Sequence, residues 1–318
     1  MNPQVSTPPK SRIAYIGLGL MGLPMSRHLV SLGWDVHGYD VRSEQMDLAS
    51  AAGVQVHSTP TEAVHGCALV VLNLPTTEAV EAVVFGTHGL IKTMRQPQCI
   101  VDFSTISVES GQAFSAKLLA QTGCGWVDAP VSGGPSAAGT GTLTVMAGAR
   151  ADDLPRIQAL MRDVAARFTV LGPPGSGLVA KMLNQLMVGC LHAAVTELVV
   201  LAEAAGIEAD LVPSALAGGH ADGVLLQQIY PRMRARDFAP LGYARQLLKD
   251  LDMVLAYAKS LQVPTPMASQ AQTLYRMLTR LGHAELDTSA LLRLYEPGHD
   301  RFAPPDLTDV KPIKGDTP

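Results

Sequence analysis

The chain has 318 residues, the length of about two compact domains at roughly 100–200 residues each. With 47% hydrophobic and 16% charged residues it can bury a large core, which excludes a disordered chain. A net charge of −4 and few aromatic residues (six Phe, seven Tyr, two Trp) leave neither a basic face nor stacking platforms, so nucleic acid is not expected as a partner.

Residues 1–11 include Pro3, Pro8 and Pro9 and hold no apolar run of signal-peptide type, so a flexible leader and a cytoplasmic protein are expected. From Arg12 to about Pro173, short apolar runs alternate with segments of helical period. Strands are predicted over Ile13–Ile16, Trp34–Tyr39, Ala68–Leu74, Cys99–Phe103, Gly125–Val131, Thr142–Ala147 and Phe168–Leu171. Met21, Met25, Leu29 and Leu32 recur at helical spacing and stop at Gly33. Such alternation predicts βαβ units and a doubly wound, mainly parallel sheet over 12–174, with antiparallel pairing among its later strands. After Gly172-Pro173-Pro174-Gly175 the pattern changes. Ser176 to Ala205 reads as one helix stopped by Gly206, and the rest, to about Tyr295, is helical in period. The expected organisation is thus α/β, with an N-terminal Rossmann domain, a long interdomain helix, an all-helical domain over 175–295 and a tail over 296–318.

His192, Glu197 and Glu203 within the apolar stretch Leu186–Ala205 argue for a buried helix over a membrane span. The four cysteines (Cys67, Cys99, Cys124, Cys190) lie far apart and the histidines show no ligand spacing, so no metal and no disulfide framework is expected.

Gly17-Leu18-Gly19-Leu20-Met21-Gly22 follows the first strand and opens a helix. Gly17 permits a tight turn, Gly19 lets backbone approach a pyrophosphate, and Gly22 lets helix and strand pack closely. The diphosphate would sit on the helix N-terminus, where free N–H groups and the dipole favour anions. The plainer alternative is a glycine-rich turn with no ligand. Asp40 ends the second strand, where a carboxylate accepts from the ribose 2′-OH of NAD and repels a 2′-phosphate; Arg42, two residues on, could partly rescue NADP.

Lys181 is the only permanently charged residue from Ser176 to Thr196, and it shares a helix face with Asn184 and Gln185. Burial lowers a lysine pKa and makes it a proton-transfer group near neutral pH; the alternative is a lysine snorkelling to solvent. Ser132-Gly133-Gly134, after a predicted strand, exposes successive N–H groups and a hydroxyl suited to a carboxylate, although a purely structural loop has the same composition. Ser104-Thr105 closes another strand at the sheet edge where doubly wound folds bind ligands. His220, after Gly218-Gly219, could face a cleft or be a plain loop residue. Arg232, Arg234, Arg236 and Arg245 could meet an acidic group or be solvated helix surface.

Four motifs in order, Gly17–Gly22 with Met21 and Met25, Asp128–Gly141, Gly175–Gln185 around Lys181, and Lys249-Asp250-Leu251, make the chain from Ile13 to Tyr295 resemble the β-hydroxyacid dehydrogenase family, which includes 3-hydroxyisobutyrate dehydrogenase and tartronate semialdehyde reductase. The resemblance implies a homodimer or homotetramer built largely through the helical domain. It implies Lys181 as general acid/base and Asn184 as the substrate-orienting amide, with Ser132, Gly133, Gly134 and Gln185 around the substrate. The Gly17–Gly22 turn, Asp40, Leu74-Pro75 and Ser104-Thr105 would line the cofactor, and Lys249 would reach back to close the cleft. The implied reaction is NAD-dependent hydride transfer between a small β-hydroxy acid and its semialdehyde or keto acid. The alternatives are a sugar-derived hydroxy acid such as threonate, a non-catalytic dinucleotide-binding module, or an imine reductase. Two departures stand out: Asn184-Gln185 where many members carry Asn-Asn, and Asp252 where many carry Gly.

Overall fold

The computed structural model describes residues 10–296. Of the expected leader, residues 1–9 lie outside the described residues, as do residues 297–318 of the expected tail; Lys10 is already tied to Asp163.

The first half runs β1 (Arg12–Ile16), α1 (Gly22–Ser31), β2 (Asp35–Tyr39), α2 (Ser43–Ala51), β3 (Gln55–Val56), α3 (Pro60–Ala63), β4 (Leu69–Leu72), α4 (Thr77–Phe85), β5 (Cys99–Asp102), α5 (Val108–Thr122), β6 (Gly125–Asp128), β7 (Val131–Ser132), α6 (Gly134–Thr140), β8 (Leu143–Gly148), α7 (Leu154–Val164) and β9 (Ala165–Gly172). The long helix α8 (Ser176–Ala204) follows, then α9 (Val212–Leu216), α10 (Val224–Arg234), α11 (Ala244–Ser260) and α12 (Pro266–Leu278), with 3-10 segments at Ala209–Leu211 and Thr288–Tyr295 and a π-helical turn at Thr279–His283.

The sheet order is β3-β2-β1-β4-β5-β6-β8, with β9 on the far side of β8. Pairing is parallel from β3 to β6, antiparallel where β8 meets β6 and β7, and parallel again between β8 and β9. The predicted antiparallel pairing is therefore present. The strand predicted over Gly125–Val131 is broken at Ala129-Pro130, since proline has no N–H for the ladder; the pairs Asp128↔Gly148 and Val131↔Val145 keep one register across the break. β3, two residues long, is too short to show a period and was not foreseen.

Strand residues alternate between two covered faces. Ile13, Tyr15, Val71, Val101 and Val127 pack with Met25 and Leu29 of α1 and Ile157 and Leu160 of α7. Ala14, Ile16, Val70, Leu72, Ile100 and Trp126 pack with Val80, Phe114 and two residues of α8, Leu178 and Met182. Further along α8, Val195 and Val199 enter a separate helical core with Tyr230, Leu247, Leu251 and Tyr275. One helix thus belongs to both domain cores, which is why its apolar content is so high. By length and composition alone α8 could cross a membrane; here its buried side chains include Lys181, His192 and Thr196, all of which make hydrogen bonds.

Candidate active site

The glycine turn lies at the C-terminal end of β1, where the sheet order reverses. Gly17 has φ +96°, and a Cβ there would lie 2.2 Å from the Asn73 carbonyl oxygen. A Cβ on Gly22 would lie 2.0 Å from the Gly17 carbonyl oxygen, so the start of α1 passes against the turn with no room for a side chain. At Gly19 the nearest atom is the movable guanidinium of Arg42, at 3.1 Å, which leaves that backbone approachable from outside. Two of the three glycines are thus demanded by the fold, and the third leaves its backbone open. Gly22→Ala is expected to cost about 3 kcal/mol or more, read as a lower urea midpoint. Gly19→Ala is expected to keep the midpoint and weaken dinucleotide binding in calorimetry.

Asp40 follows β2, and its carboxylate holds this turn in shape. Oδ2 accepts from the Leu18 N–H (2.7 Å), while Oδ1 accepts from the Arg42 N–H (2.9 Å) and lies 3.3 Å from Arg42 Nε. Arg42 therefore spans Asp40 and Gly19. The loops after β4 and β5 are locked together beside the turn: the Leu74 N–H donates to Ser104 Oγ (2.8 Å), and the Ser104 N–H donates to Asp102 Oδ1 (2.9 Å). Lys249, from α11 in the other domain, donates to the carbonyls of Pro75 (3.1 Å) and Thr105 (2.7 Å) and so clamps these two loops from across the cleft.

Lys181 lies one turn into α8 and is only 8% exposed. Its Nζ donates to the Val131 carbonyl at 2.8 Å, next to Ser132-Gly133-Gly134. Gly133 and Gly134 have φ of +134° and +70°, a backbone path that L side chains rarely follow. Burial pushes the Lys181 ammonium down to about 8, with the nearby Asp250 carboxylate partly opposing the fall and Lys249 adding to it. The lysine is buried and not snorkelling. On the same face Asn184 Nδ2 donates to Gln185 Oε1 (2.8 Å), and Gln185 Nε2 donates to Asp250 Oδ2 (2.5 Å).

Contacts run from the glycine turn through Asn73-Leu74-Pro75 to Lys249, and from Lys249 through Asp250 to Gln185 and Asn184, while Lys181 on the same helix reaches Val131 beside Ser132-Gly133-Gly134. The remaining candidates stand apart. His220 is exposed in the loop before α10. Arg232 pairs with Asp237 and Asp287, Arg234 with Glu203 and Asp210, Arg236 with Glu203 and Glu296, and Arg245 with Glu285, so these arginines serve the helical domain's own surface. Among the described residues no cluster of His, Cys, Asp and Glu could hold a metal.

Three acids were given no role by the sequence: Asp128 and Asp250 stood only as members of motifs, and Asp102 was not singled out. Asp128 Oδ1 accepts from the Gly175 N–H (2.7 Å) and Oδ2 from the Leu178 N–H (3.0 Å), so this side chain caps α8 from the sheet. Asp250 anchors Gln185. Asp102 is fully buried and pairs in register with Asp128 across β5 and β6. The usable signal was a Val-Asp pair inside each of two predicted strands, Val101-Asp102 and Val127-Asp128, where the observed strands end. Burial raises Asp102 to about 7 and Asp128 to about 6. A carboxyl raised on folding holds its proton more tightly in the native state, so its ionisation costs stability as pH rises from about 4 through these values. Asp102→Asn removes that cost. The variant is expected to gain about 2 kcal/mol more over the parent at about pH 8 than at about pH 5, measured by urea unfolding at both.

Comparison with known proteins identifies the family. Residues 12–172 match the family described as the NAD-binding domain of 6-phosphogluconate dehydrogenase, and residues 175–295 match that described as NAD-binding of NADP-dependent 3-hydroxyisobutyrate dehydrogenase. The chain is 33% identical over 286 residues to the 2-hydroxy-3-oxopropionate reductase of Escherichia coli, covering 90% of this chain and 97% of that one. It is 31% identical over 293 residues to the NAD-dependent L-serine dehydrogenase of Pseudomonas aeruginosa, covering 90% and 98%. The chain belongs to the β-hydroxyacid dehydrogenase family. Among solved structures, 3-hydroxyisobutyrate dehydrogenase from Salmonella typhimurium superposes with a TM-score of 0.82 at 26% identity, covering 90% of this chain and all of that one. The protein is thus an NAD(P)-dependent hydroxy-acid dehydrogenase, with the Rossmann and helical domains its sequence predicted.

Proposed function

We propose that this enzyme interconverts a small β-hydroxy acid and its semialdehyde, of 3-hydroxyisobutyrate or 2-hydroxy-3-oxopropionate type, with Lys181 as general acid/base. The observation that carries the reading is a buried lysine with its ammonium pushed down to about 8, 2.8 Å from the Val131 carbonyl and one residue from the Ser132–Gly134 turn. The open backbone at Gly19, on the rigid turn formed by Gly17 and Gly22, fits a dinucleotide diphosphate, and Asp40 fits a ribose hydroxyl, which favours NAD over NADP. Hydride acceptance is the chemistry the dinucleotide supplies when bound. Leu20, Met21, Leu74, Pro75, Thr105 and Lys249 form the walls of that cleft, whereas Leu18 is buried in the core and Ser104 is buried on the Leu74 N–H, so these two support the walls from behind. The Ser132–Gly134 turn holds the substrate carboxylate through N–H groups and the Ser132 hydroxyl. Neutral Lys181 takes the hydroxyl proton during oxidation and returns it to the nascent alkoxide during reduction. Asn184 and Gln185 complete the substrate side.

The enzyme is read as soluble and cytoplasmic, with α8 a shared core helix. A homodimer or homotetramer is supported by Leu183, Met187 and Leu191, which form an exposed apolar stripe along α8 at 62%, 56% and 40% exposure. The test is initial-rate dinucleotide reduction with 3-hydroxyisobutyrate, glycerate, 3-hydroxypropionate, L-serine and L-threonate, each with NAD⁺ and NADP⁺, and tartronate semialdehyde in reverse. Turnover of a small hydroxy acid with NAD⁺ preferred supports the reading. Preference for NADP⁺ overturns the role given to Asp40, and no turnover on any of them overturns the proposed reaction.

A further inference from the structure

Gln185 and Asp250 form a chain of hydrogen bonds whose direction is set at one end. Asp250 is 6% exposed and, as a carboxylate, can only accept. Its Oδ2 therefore takes the Nε2 end of Gln185 (2.5 Å), and its Oδ1 lies 3.0 Å from the Lys249 ammonium. Gln185, itself 9% exposed, is left with Oε1 pointing to Asn184, and that oxygen requires a donor. Asn184 supplies Nδ2 at 2.8 Å. Its amide is then fixed with Oδ1 as the acceptor that the chain of bonds does not consume. A glutamine reaches from α8 to the Asp250 carboxylate on α11 and still meets its neighbour's amide, so a carboxylate on α11 dictates the orientation of a side chain on α8.

We infer that the Asp250–Gln185 pair is a specificity device, which offers Asn184 Oδ1 to a second hydrogen-bond donor on the substrate and so selects β-hydroxy acids bearing a hydroxyl or ammonium on the α-carbon over those bearing a methyl. The inference rests on the proposed reaction. There the proton of the reacting hydroxyl goes to neutral Lys181, so the donor read by Asn184 is a different group. A methyl at that point covers the half-buried amide oxygen of Asn184 without offering it a donor, and sites built for a hydrogen bond reject analogues that lack it more strongly than apolar pockets reject added groups. Asp250 and Gln185 act through Asn184 and are positioning residues.

The experiment compares kcat/KM for glycerate and 3-hydroxyisobutyrate, a hydroxyl and a methyl on the same carbon, with both enantiomers of each, in the parent enzyme and in Asp250→Asn. The parent is expected to favour glycerate by about tenfold or more. In the variant, the side-chain oxygen stays on the Lys249 ammonium and the new amide nitrogen turns to Gln185. Both downstream amides then reverse and Asn184 Oδ1 is consumed, so the ratio is expected to fall about tenfold. Gln185→Met breaks the chain without touching the Asp250 charge and is expected to lower the ratio as well. It leaves the acid limb of the pH–rate profile in place, whereas Asp250→Asn moves that limb to lower pH by removing the charge that opposes the Lys181 shift. Thermal melts of both variants check folding. A parent ratio near one, or a ratio unchanged in two folded variants that still turn over, overturns the inference alone. Absence of turnover by the parent on either acid and on the rest of the panel overturns the reaction and the inference with it.

Discussion

Replacing Lys181 by alanine is expected to lower kcat by about 10²–10⁴-fold, the usual contribution of a positioned general acid/base, while the dissociation constant for NAD⁺ stays within about twofold. The two readouts separate because Lys181 bonds to Val131, beside the turn proposed for the substrate carboxylate, whereas the glycine turn is built by β1, α1 and Asp40. Rates of hydroxy-acid oxidation in the parent should rise through about pH 8 and level off above it, since the base is the neutral amine; reduction should show the opposite limb. Stability supplies a further check. A lysine whose pKa is lowered on folding binds fewer protons in the native state, so its cost is greatest at neutral pH and fades as pH rises from about 8 towards the ordinary lysine range. Lys181→Met is therefore expected to hold or raise the urea midpoint at neutral pH while removing turnover. A variant that keeps parental kcat would end the assignment of Lys181.

Asp128→Ala is expected to give the largest loss of stability among the polar substitutions considered, about 3 kcal/mol in urea unfolding. Its two carboxylate oxygens accept from Gly175 and Leu178 at the very start of α8, where helix N–H groups have no partner within the helix. Gly177 packs so closely on this strand that an added Cβ would lie 2.7 Å from the Asp128 carbonyl oxygen and 2.5 Å from that of Met146, so the start of α8 is seated directly on the sheet. Catalysis should suffer too, because Lys181 lies one turn beyond Leu178 and is held by Val131, three residues beyond Asp128. Asp128→Asn keeps one acceptor and is expected to recover part of both losses. Parental stability in Asp128→Ala would show that α8 is held by its apolar contacts alone.

Much of this was legible in the sequence. The glycine turn could be read because its requirement is local: strand, tight backbone and helix follow one another in six residues, and each glycine has a steric reason. The length of α8 was legible for a similar reason, an unbroken apolar period between Gly175 and Gly206. Lys181 stood out as a lone charge in that period, yet its two readings, buried base or snorkelling cation, could be separated only by the fold, which covers it with Val131 and the Asp250 region.

The sequence by itself determined the alternation of strands and helices, the break near residue 174 and the glycine turn after the first strand, because each depends on neighbours within one turn or one strand. Only the tertiary structure decided which acids matter. Asp128 meets its helix 47 residues away, Gln185 meets Asp250 65 residues away, and Lys249 reaches Thr105 across 144 residues. A carboxylate's role follows from what surrounds it once water is removed, and at those separations no local pattern reports the surroundings. The same holds for the arginines of the helical domain, whose acidic partners turn candidate substrate contacts into surface ion pairs.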